Sequence, residues 1–378
     1  MPVKLAASTH PPSRPTTEDE AFTCLRLLRS KRVGPATYRR MIREHGSAAA
    51  ALDALPEVAR AAGVSDYSIC PEAVVIAELK AGRANNARLL LSGQPDFPAD
   101  LDALKDAPAM LWAMGDLGLL NRPLVAMVGA RNASSLGTRM AKSLAAELGE
   151  AGFVVVSGLA RGVDTAAHLS ALKTGTIAVQ AGGVDTIYPL ENKKLSEDIA
   201  RQGLRLSEMG MGLQPQARHF PARNRIISGL SRAVVIVEAA AKSGSLITAR
   251  TALDQSREVL AVPGHPFDAR SYGCNMLLRD GATLVRNAAD VIEAIGQFTP
   301  PVVPDEPVIP APKPKQDLRA VAQLHSQILD RLGPSPIAED QLIRDLGIGP
   351  REAAPAIVSL ELDGKISRQL GGLLALRT

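Results

Sequence analysis

The middle of the chain is predicted to be an α/β domain with a doubly wound, mostly parallel sheet. Runs rich in Val, Ile and Leu alternate with helical patterns from Arg122 onward, at the spacing of strand–helix–strand units. Several runs are apolar without alternation, which is typical of strands buried on both faces of a parallel sheet. The right-handed crossover rule then favours a Rossmann-like fold. The predicted strands are Leu124–Val128, Phe153–Val156, Thr176–Val179, Leu204–Ser207, Ala233–Val237, Val259–Val262 and Thr283–Val285.

Composition supports a core of aliphatic side chains. Hydrophobic residues make up 46% of the 378 residues but aromatic residues only 3%, so strands and Ala-rich helices must supply the buried surface. The length suits one large domain with small companions. A strand, a turn and an apolar run between Leu89 and Leu120 are interpreted as an extension of the same sheet, so that the extended Rossmann-like domain is predicted to span residues 85–296.

Helical patterns dominate residues 18–84, ahead of that domain. The run from Val33 to Ala36, between two helical segments, resembles a helix-hairpin-helix or a sterile-alpha-motif unit. Such a hairpin can present backbone N–H groups to phosphate, but this segment has no net positive charge. Contact with DNA and docking of a protein both remain open for it.

The last 61 residues, 318–378, show the order of a winged helix. The helix that enters the major groove in DNA-binding members spans Arg351 to Leu362 here and carries Glu352 and Glu361. These carboxylates favour protein contact or regulation over DNA contact. Residues 297–317 are predicted to form a Pro-rich linker, and residues 1–17 a disordered tail.

Positive charge is concentrated in the middle of the chain. Residues 122–296 contain 20 basic and 15 acidic side chains, whereas residues 1–121 contain 14 of each and residues 318–378 contain 7 of each. The whole positive excess therefore lies in the predicted Rossmann-like domain. An anionic partner is expected there.

Several classes of protein are disfavoured by the sequence. No apolar run is long enough to span a membrane and no signal peptide is apparent, so a cytoplasmic protein that does not bind membranes is expected. The three cysteines are scattered, which fits neither disulfides nor zinc. Dinucleotide and P-loop motifs are absent, as are HExxH and GxSxG, so we expect no cofactor, no metal and no catalytic residue. A carboxylate pair stays open as an alternative, because Glu238 and Asp185 both lie near the predicted ligand edge.

Glycine-rich and basic loops follow the predicted strands. Ligands of open parallel sheets bind beyond the carboxyl ends of the strands, where helix N-termini also present free N–H groups. The loop Gly129–Gly137 and the start Gly244–Ser245 are predicted to be such anion sites, and Asp164 a helix cap. The residues predicted to contact the ligand are Gly129, Arg131, Ser134, Arg161, Arg218, Phe220, Arg223, Asn224, Arg225, Lys242, Ser243, Gly244, Ser245 and Arg250.

A basic groove with a stacking ring suits single-stranded DNA bound without sequence readout. Phe220, inside the densest basic segment, is the candidate ring. Two structural alternatives remain. Phe220 could belong to the core, and the arginines could pair with carboxylates of their own domain: Asp164, Asp185, Glu191, Glu208 and Glu238.

At these loops the sequence closely resembles the DNA-processing protein A family, also called Smf. The matching runs are Val125–Arg131, Ser157–Asp164, Phe220–Ile227, Ser243–Arg250 and Ala261–Gly264. The resemblance implies a homodimeric protein of natural transformation that binds incoming single-stranded DNA and loads a RecA-type recombinase onto it. It also implies that Arg131 contacts phosphate and that Phe220, Arg223 and Asn224 lie against the strand. Family members can have a lysine shortly before this phenylalanine, where the nearest basic residue here is Arg218.

Two further functions remain as alternatives. Nucleotide phosphoribohydrolases use a similar sheet with a glycine loop, but their Pro-Gly-Gly-x-Gly-Thr run is replaced here by Lys242-Ser243-Gly244-Ser245. Release of adenine from AMP would identify that activity. A scaffold whose partner is another protein is the third function, and a pull-down with a recombinase tests it.

Overall fold

The computed structural model of the chain describes residues 18–296, 318–333, 335–369 and 372–377. The predicted tail, 1–17, and the predicted linker, 297–317, lie outside the described residues. The chain divides into two compact units, one up to Thr299 and one from Pro300.

Four helices open the first unit: α1 (Glu18–Arg29), α2 (Pro35–His45), α3 (Ala48–Ala61) and α4 (Glu72–Ala84). Pro35 starts α2, where its missing N–H costs nothing. Gly46 ends that helix with a left-handed φ of 80°. Ser47 then caps α3, because its Oγ accepts the Ala50 N–H at 3.2 Å. The hairpin between α2 and α3 is thus specified by local sequence.

The helices pack on the edge of the sheet through Trp112. Its ring lies over Gly82 of α4, where a Cβ would come within 2.4 Å of the ring. The indole N–H donates to Glu78 at 2.8 Å, and Arg29 of α1 donates to the same carboxylate at 2.7 and 2.8 Å. A single hydrophobic cluster therefore joins the helices to the first strands.

The sheet has nine strands in the order β1-β2-β6-β5-β4-β3-β7-β8-β9. Strands β1 and β2 are antiparallel, and β3 to β9 are parallel. The predicted α/β fold is confirmed, as is the extension of the sheet by the segment before Arg122. The strands are β1 (Arg88–Leu91), β2 (Met110–Gly115), β3 (Leu124–Val128), β4 (Val154–Ser157), β5 (Thr176–Val179), β6 (Leu204–Ser207), β7 (Ala233–Ile236), β8 (Glu258–Ala261) and β9 (Thr283–Leu284).

Helices connect these strands and cover both faces of the sheet. They are α5 (Ala99–Asp102), α6 (Ser135–Glu150), α7 (Val163–Ala171), α8 (Lys193–Gln202), α9 (His219–Leu230), α10 (Gly244–Asp254), α11 (Tyr272–Arg279) and α12 (Ala288–Ile295). Along β3, Leu124, Ala126 and Val128 belong to one core cluster, and Val125 and Met127 to the other. Both faces are buried, which explains why these strands are apolar without alternation.

The second unit is a winged helix, as predicted. It contains α13 (Leu318–Arg331), β10 (Ile337–Ala338), α14 (Glu339–Leu346), α15 (Pro350–Leu362), β11 (Ile366–Gln369) and β12 (Leu373–Leu376). Its sheet has the order β10-β12-β11, and the two-residue strand β10 was not predicted. On α15, Val358 and Leu362 are exposed. Among the helices of the described residues, none combines the length and apolar character needed to cross a membrane.

Candidate nucleic-acid interface

The loops after the parallel strands gather at the carboxyl edge of the sheet. Strands β3 to β6 follow one another outward on one side, and β7 returns to the other side of β3. The strand order therefore reverses between β3 and β7. Ligands of doubly wound folds bind at such a switch point.

An open cleft of about 570 Å³ lies on the β4 side of this switch point. Arg131 enters it from the loop after β3, Arg161 from the loop after β4, and Phe220 and Arg223 from α9. The structure thus brings together four residues that are up to 92 positions apart in the chain. The remaining lining residues are Gly158, Leu159, Ala160, Ile187, Tyr188, Pro189, Leu190, Glu191 and Gln214.

Phe220 is the centre of the cleft. The guanidinium carbon of Arg131 lies 5.0 Å from the centroid of its ring, and that of Arg223 lies 5.9 Å away. Tyr188 forms a tilted pair with the same ring, with centroids 5.9 Å apart and an interplanar angle of 56°. Two cations around an accessible aromatic pair can bind a polyanion and its bases together.

Tyr188 was not among the predicted contact residues, although it is 47% exposed in the cleft. It lies in the loop after β5, just before Pro189. A signal was available in the sequence. In a chain with 3% aromatic residues, a tyrosine in a loop at the ligand edge is notable, because aromatic rings are usually buried.

Arg223 supports the cleft from below, since it is only 6% exposed. A Cβ on Gly158 would lie 1.3 Å from its Nη1, so only glycine lets the guanidinium reach this position. Burial lowers the pKa of Arg223 to about 10, although Asp164 opposes the shift. Contact of Arg223 with a bound strand stays a prediction, for which only a small part of the side chain is accessible.

The start of α6 is filled by the protein's own carboxylate. Glu238, which follows β7, accepts hydrogen bonds from the backbone N–H and the hydroxyl of Ser134, at 2.9 and 3.0 Å. Ser134 Oγ in turn accepts the Gly137 N–H at 2.9 Å. A Cβ on Gly137 would lie 1.9 Å from Glu238 Oε2, so this glycine makes room for the carboxylate. The predicted anion site at this helix start is therefore already occupied, and that expectation was wrong.

The start of α10 is also capped by a side chain of the protein, that of Ser243. The N-cap of α7 is Gly162, with no side-chain hydrogen bond, so the prediction that Asp164 caps this helix was wrong. Asp164 lies in the first turn of α7 and accepts the N–H groups of Gly158 and Ala160, at 3.2 and 3.3 Å. Burial raises the pKa of this carboxyl, whereas Arg223 and these hydrogen bonds oppose the shift. At α10, Ser243 Oγ accepts the Ser245 N–H at 3.3 Å. An anion at this edge therefore has cationic side chains to bind, rather than the starts of α6 and α10.

Arg225 is engaged within the protein and does not present its charge to the cleft. It donates two hydrogen bonds to Glu208, at 2.8 and 2.7 Å, and both side chains are less than 15% exposed. The expectation that Arg225 presents its charge to a ligand is not met, because that charge is held in an internal pair. Arg161 differs, since it lies 3.6 Å from Glu191 and both side chains are more than 60% exposed. Such a surface pair contributes little, so Arg161 keeps its charge at the surface.

The other predicted residues do not line the cleft. Arg218, Lys242 and Arg250 are exposed beyond it, and Asn224 is half-buried on α9. Gly129 is structural, because a Cβ there would lie 2.6 Å from Val163 Cγ2. In the described parts of the chain, no group of three or more His, Cys, Asp or Glu side chains could hold a metal ion.

His168 is fully buried beneath the loop after β4. Its Nδ1 lies 2.7 Å from Thr176 Oγ1, whose own proton goes to the Val155 carbonyl at 2.8 Å. His168 Nδ1 must therefore carry a proton and donate it. Burial, assisted by the nearby Arg223 charge, lowers the pKa of His168 to about 3.

Because His168 is buried and neutral, we expect the protein to lose stability on mild acidification. The unfolded chain takes up a proton as the pH falls below about 6.5, whereas folded His168 stays neutral, so stability present above that pH is lost below it. Between about pH 7.5 and pH 5 we expect a contribution of about 2 kcal/mol to this loss. Urea denaturation of the parent and of His168→Leu or His168→Gln measures it. Equal pH dependence in parent and variants would contradict the assignment.

The fold and the cleft define a class: a Rossmann-like α/β domain with a cationic, aromatic cleft at the carboxyl edge of its sheet, accompanied by a helical domain and a winged helix. The family described as DNA recombination-mediator protein A matches residues 88–296. Its N-terminal HHH domain matches residues 18–81, and its winged-helix domain matches 310–372. The chain belongs to this family, which confirms the resemblance carried by the loop motifs.

Relatives of known name are similar over much of the chain. DNA processing protein DprA from Streptococcus pneumoniae is 48% identical over 198 residues, which are 52% of this chain and 70% of that protein. Protein Smf from Escherichia coli is 37% identical over 295 residues, which are 77% of this chain and 78% of that protein.

Solved structures agree with the fold. The X-ray structure of DprA from S. pneumoniae has a TM-score of 0.63 at 35% identity, and the match covers 76% of this chain and all of that one. DNA processing protein A from Helicobacter pylori, whose structure was reported for its single-stranded DNA binding mode, has a TM-score of 0.51 at 36% identity. That match covers 55% of this chain and 95% of that one.

Proposed function

We propose that this chain is a DNA-processing protein that binds single-stranded DNA in the cleft around Phe220 and performs no catalysis there. The observation that carries the proposal is the position of Phe220 and Tyr188, two paired rings beside the guanidinium groups of Arg131 and Arg223. The name of the H. pylori relative supports the same ligand.

The cleft favours an unpaired strand over other phosphate ligands. Stacking on Phe220 or Tyr188 requires a base whose face is free, which a duplex does not offer. A mononucleotide would use a helix start for its phosphate, but Glu238 fills the start of α6. Arginine side chains that track a backbone suit a strand of several nucleotides.

The contacts proposed for the strand differ in kind. Arg131 and Arg161 bind phosphates, Phe220 and Tyr188 stack on bases, and Arg223 adds charge from beneath. The exposed residues beyond the cleft, Arg218, Lys242 and Arg250, extend the positive edge along the strand. The predicted contacts of Asn224, Ser243, Gly244 and Ser245 stay part of the proposal, whereas Ser134 is engaged by Glu238 and Gly129 serves packing.

The cellular role proposed is that of a cytoplasmic homodimer that protects incoming DNA during natural transformation and delivers it to a RecA-type recombinase. The names of the relatives support DNA processing. For the dimer, the two-residue strand β9 is an edge of the sheet and its Leu284 is 45% exposed. A pull-down with a recombinase tests the partner.

A mobility-shift comparison at physiological salt tests the proposed ligand. We expect a single strand to bind more tightly than a duplex of the same sequence, because only the single strand exposes base faces to Phe220 and Tyr188. The same preparation incubated with AMP is expected to release no adenine. Equal or tighter binding of the duplex would contradict the proposal, and adenine release would favour a phosphoribohydrolase.

A further inference from the structure

In the described part of the chain, exposed aromatic rings are confined to one edge of the sheet. The exposed residues among the described Phe, Tyr and Trp are Tyr188, Phe267 and Tyr272, with 47%, 94% and 56% of their surface accessible. All three follow parallel strands: Tyr188 lies after β5, and the other two lie after β8. In a chain with 3% aromatic residues, this placement points to a shared task at that edge.

The loop after β8 carries two neighbouring rings. The centroids of His265 and Phe267 lie 5.6 Å apart with an interplanar angle of 37°, and both residues are exposed. The separation is close to that of Tyr188 and Phe220, whose centroids are 5.9 Å apart, although those rings are tilted more, at 56°. Neither Phe267 nor His265 contributes to a hydrophobic core cluster among the described residues.

The loop is held in one position by its own contacts. Asn275 donates to the Gly264 carbonyl at 2.9 Å and accepts the Gly264 N–H at 3.2 Å. The Gly273 N–H donates to the carbonyl of Ala239, in the loop after β7, at 2.7 Å. Phe267 is therefore presented on a preorganised loop, which reduces the entropy lost when a ligand covers it.

This second pair of rings faces the same edge as the cleft, across the switch point. Strand β8 is parallel to β7, which is parallel to β3, so the loops after all three emerge together. With about 4.8 Å between strands, the loop after β8 lies about 10 Å from the loop that carries Arg131. Strand β7 lies between β3 and β8, and the loop after it carries the exposed Lys242.

We propose that His265 and Phe267 form a second stacking platform for unpaired bases of the same single strand, which crosses the switch point beside Lys242. The inference rests on the proposed function and extends it from one cleft to the length of the edge. Strands that reach both platforms bind more tightly than strands that fill only one, because each stacked base adds affinity.

Two variants of Phe267 test the platform. Phe267→Ala is expected to weaken binding of a thymidine strand of about 20 nucleotides by about fivefold or more, and to change binding of a strand of about 4 nucleotides much less. Phe267→Trp places a fluorescent ring on the loop, and the chain's one tryptophan, Trp112, is buried. The longer strand is expected to quench the new indole.

Ile76 on α4, which is 56% exposed, provides matched controls as Ile76→Ala and Ile76→Trp. No quenching at Phe267→Trp, together with unchanged affinity of Phe267→Ala, would overturn the platform. Arg131→Ala measured alongside separates the two proposals. If Arg131→Ala weakens binding and the Phe267 variants do not, only the platform fails; if neither weakens binding, the cleft fails as well.

Discussion

Replacement of Arg131 by alanine is expected to weaken binding of single-stranded DNA about 10- to 100-fold, since a charge-assisted hydrogen bond to phosphate contributes about 1.5–3 kcal/mol. Arg131 is exposed, and its guanidinium carbon lies 5.0 Å from the Phe220 centroid, so one side chain can bind a phosphate while it flanks the stacking ring. Titrations at several salt concentrations should show the slope of log affinity against log salt falling by about 0.7.

Arg201 supplies the control for this prediction. It is an exposed arginine near the end of α8, at the opposite edge of the sheet, and Arg201→Ala changes the net charge by the same amount. We expect that variant to retain both affinity and salt slope. If Arg131→Ala and Arg201→Ala behave alike, Arg131 acts only through net charge and the cleft is not the binding site.

The parts of the fold that the sequence predicted are those that local pattern determines. Each strand from β3 to β8 lies within a residue or two of its predicted bounds, because burial on both faces leaves a continuous apolar run. Gly46 and Ser47 similarly mark the hairpin in the helical part. Strand β10 escaped prediction because two residues leave no periodic pattern.

The sequence predicted where the site residues lie, but not which of their charges remain available to a ligand. Topology places Arg131, Arg161, Phe220 and Arg223 at one edge of the sheet, and this convergence was predicted because the loops after parallel strands meet at their carboxyl ends. Which of those charges remain available depends on pairings between distant residues. Glu238 reaches Ser134 across 104 positions, and Arg225 reaches Glu208 across 17. Sequence spacing contains no information about such contacts.

The ion pair between Arg225 and Glu208 can be tested by mutation. We expect Arg225 to stabilise the fold rather than to bind DNA. Arg225→Met is expected to lower the free energy of unfolding by about 3 kcal/mol near pH 7, because it leaves Glu208 as a buried, unpaired carboxylate. Burial raises the pKa of Glu208, and the Arg225 charge opposes that shift. Without Arg225 the pKa of Glu208 must therefore rise further.

The pH dependence of this variant distinguishes a lost ion pair from lost packing. A carboxyl whose folded pKa exceeds its unfolded pKa favours the folded state at low pH and loses that contribution as the pH rises through the folded value. The gap in urea midpoint between Arg225→Met and the parent should therefore shrink as the pH is lowered from about 7 to about 5. Adding Glu208→Gln should remove this pH dependence, since no carboxylate then remains. A different result would assign Arg225 to the bound strand: unchanged stability of Arg225→Met, with a slope of log affinity against log salt reduced by about 0.7. The slope has this meaning because it counts the phosphates that cations neutralise.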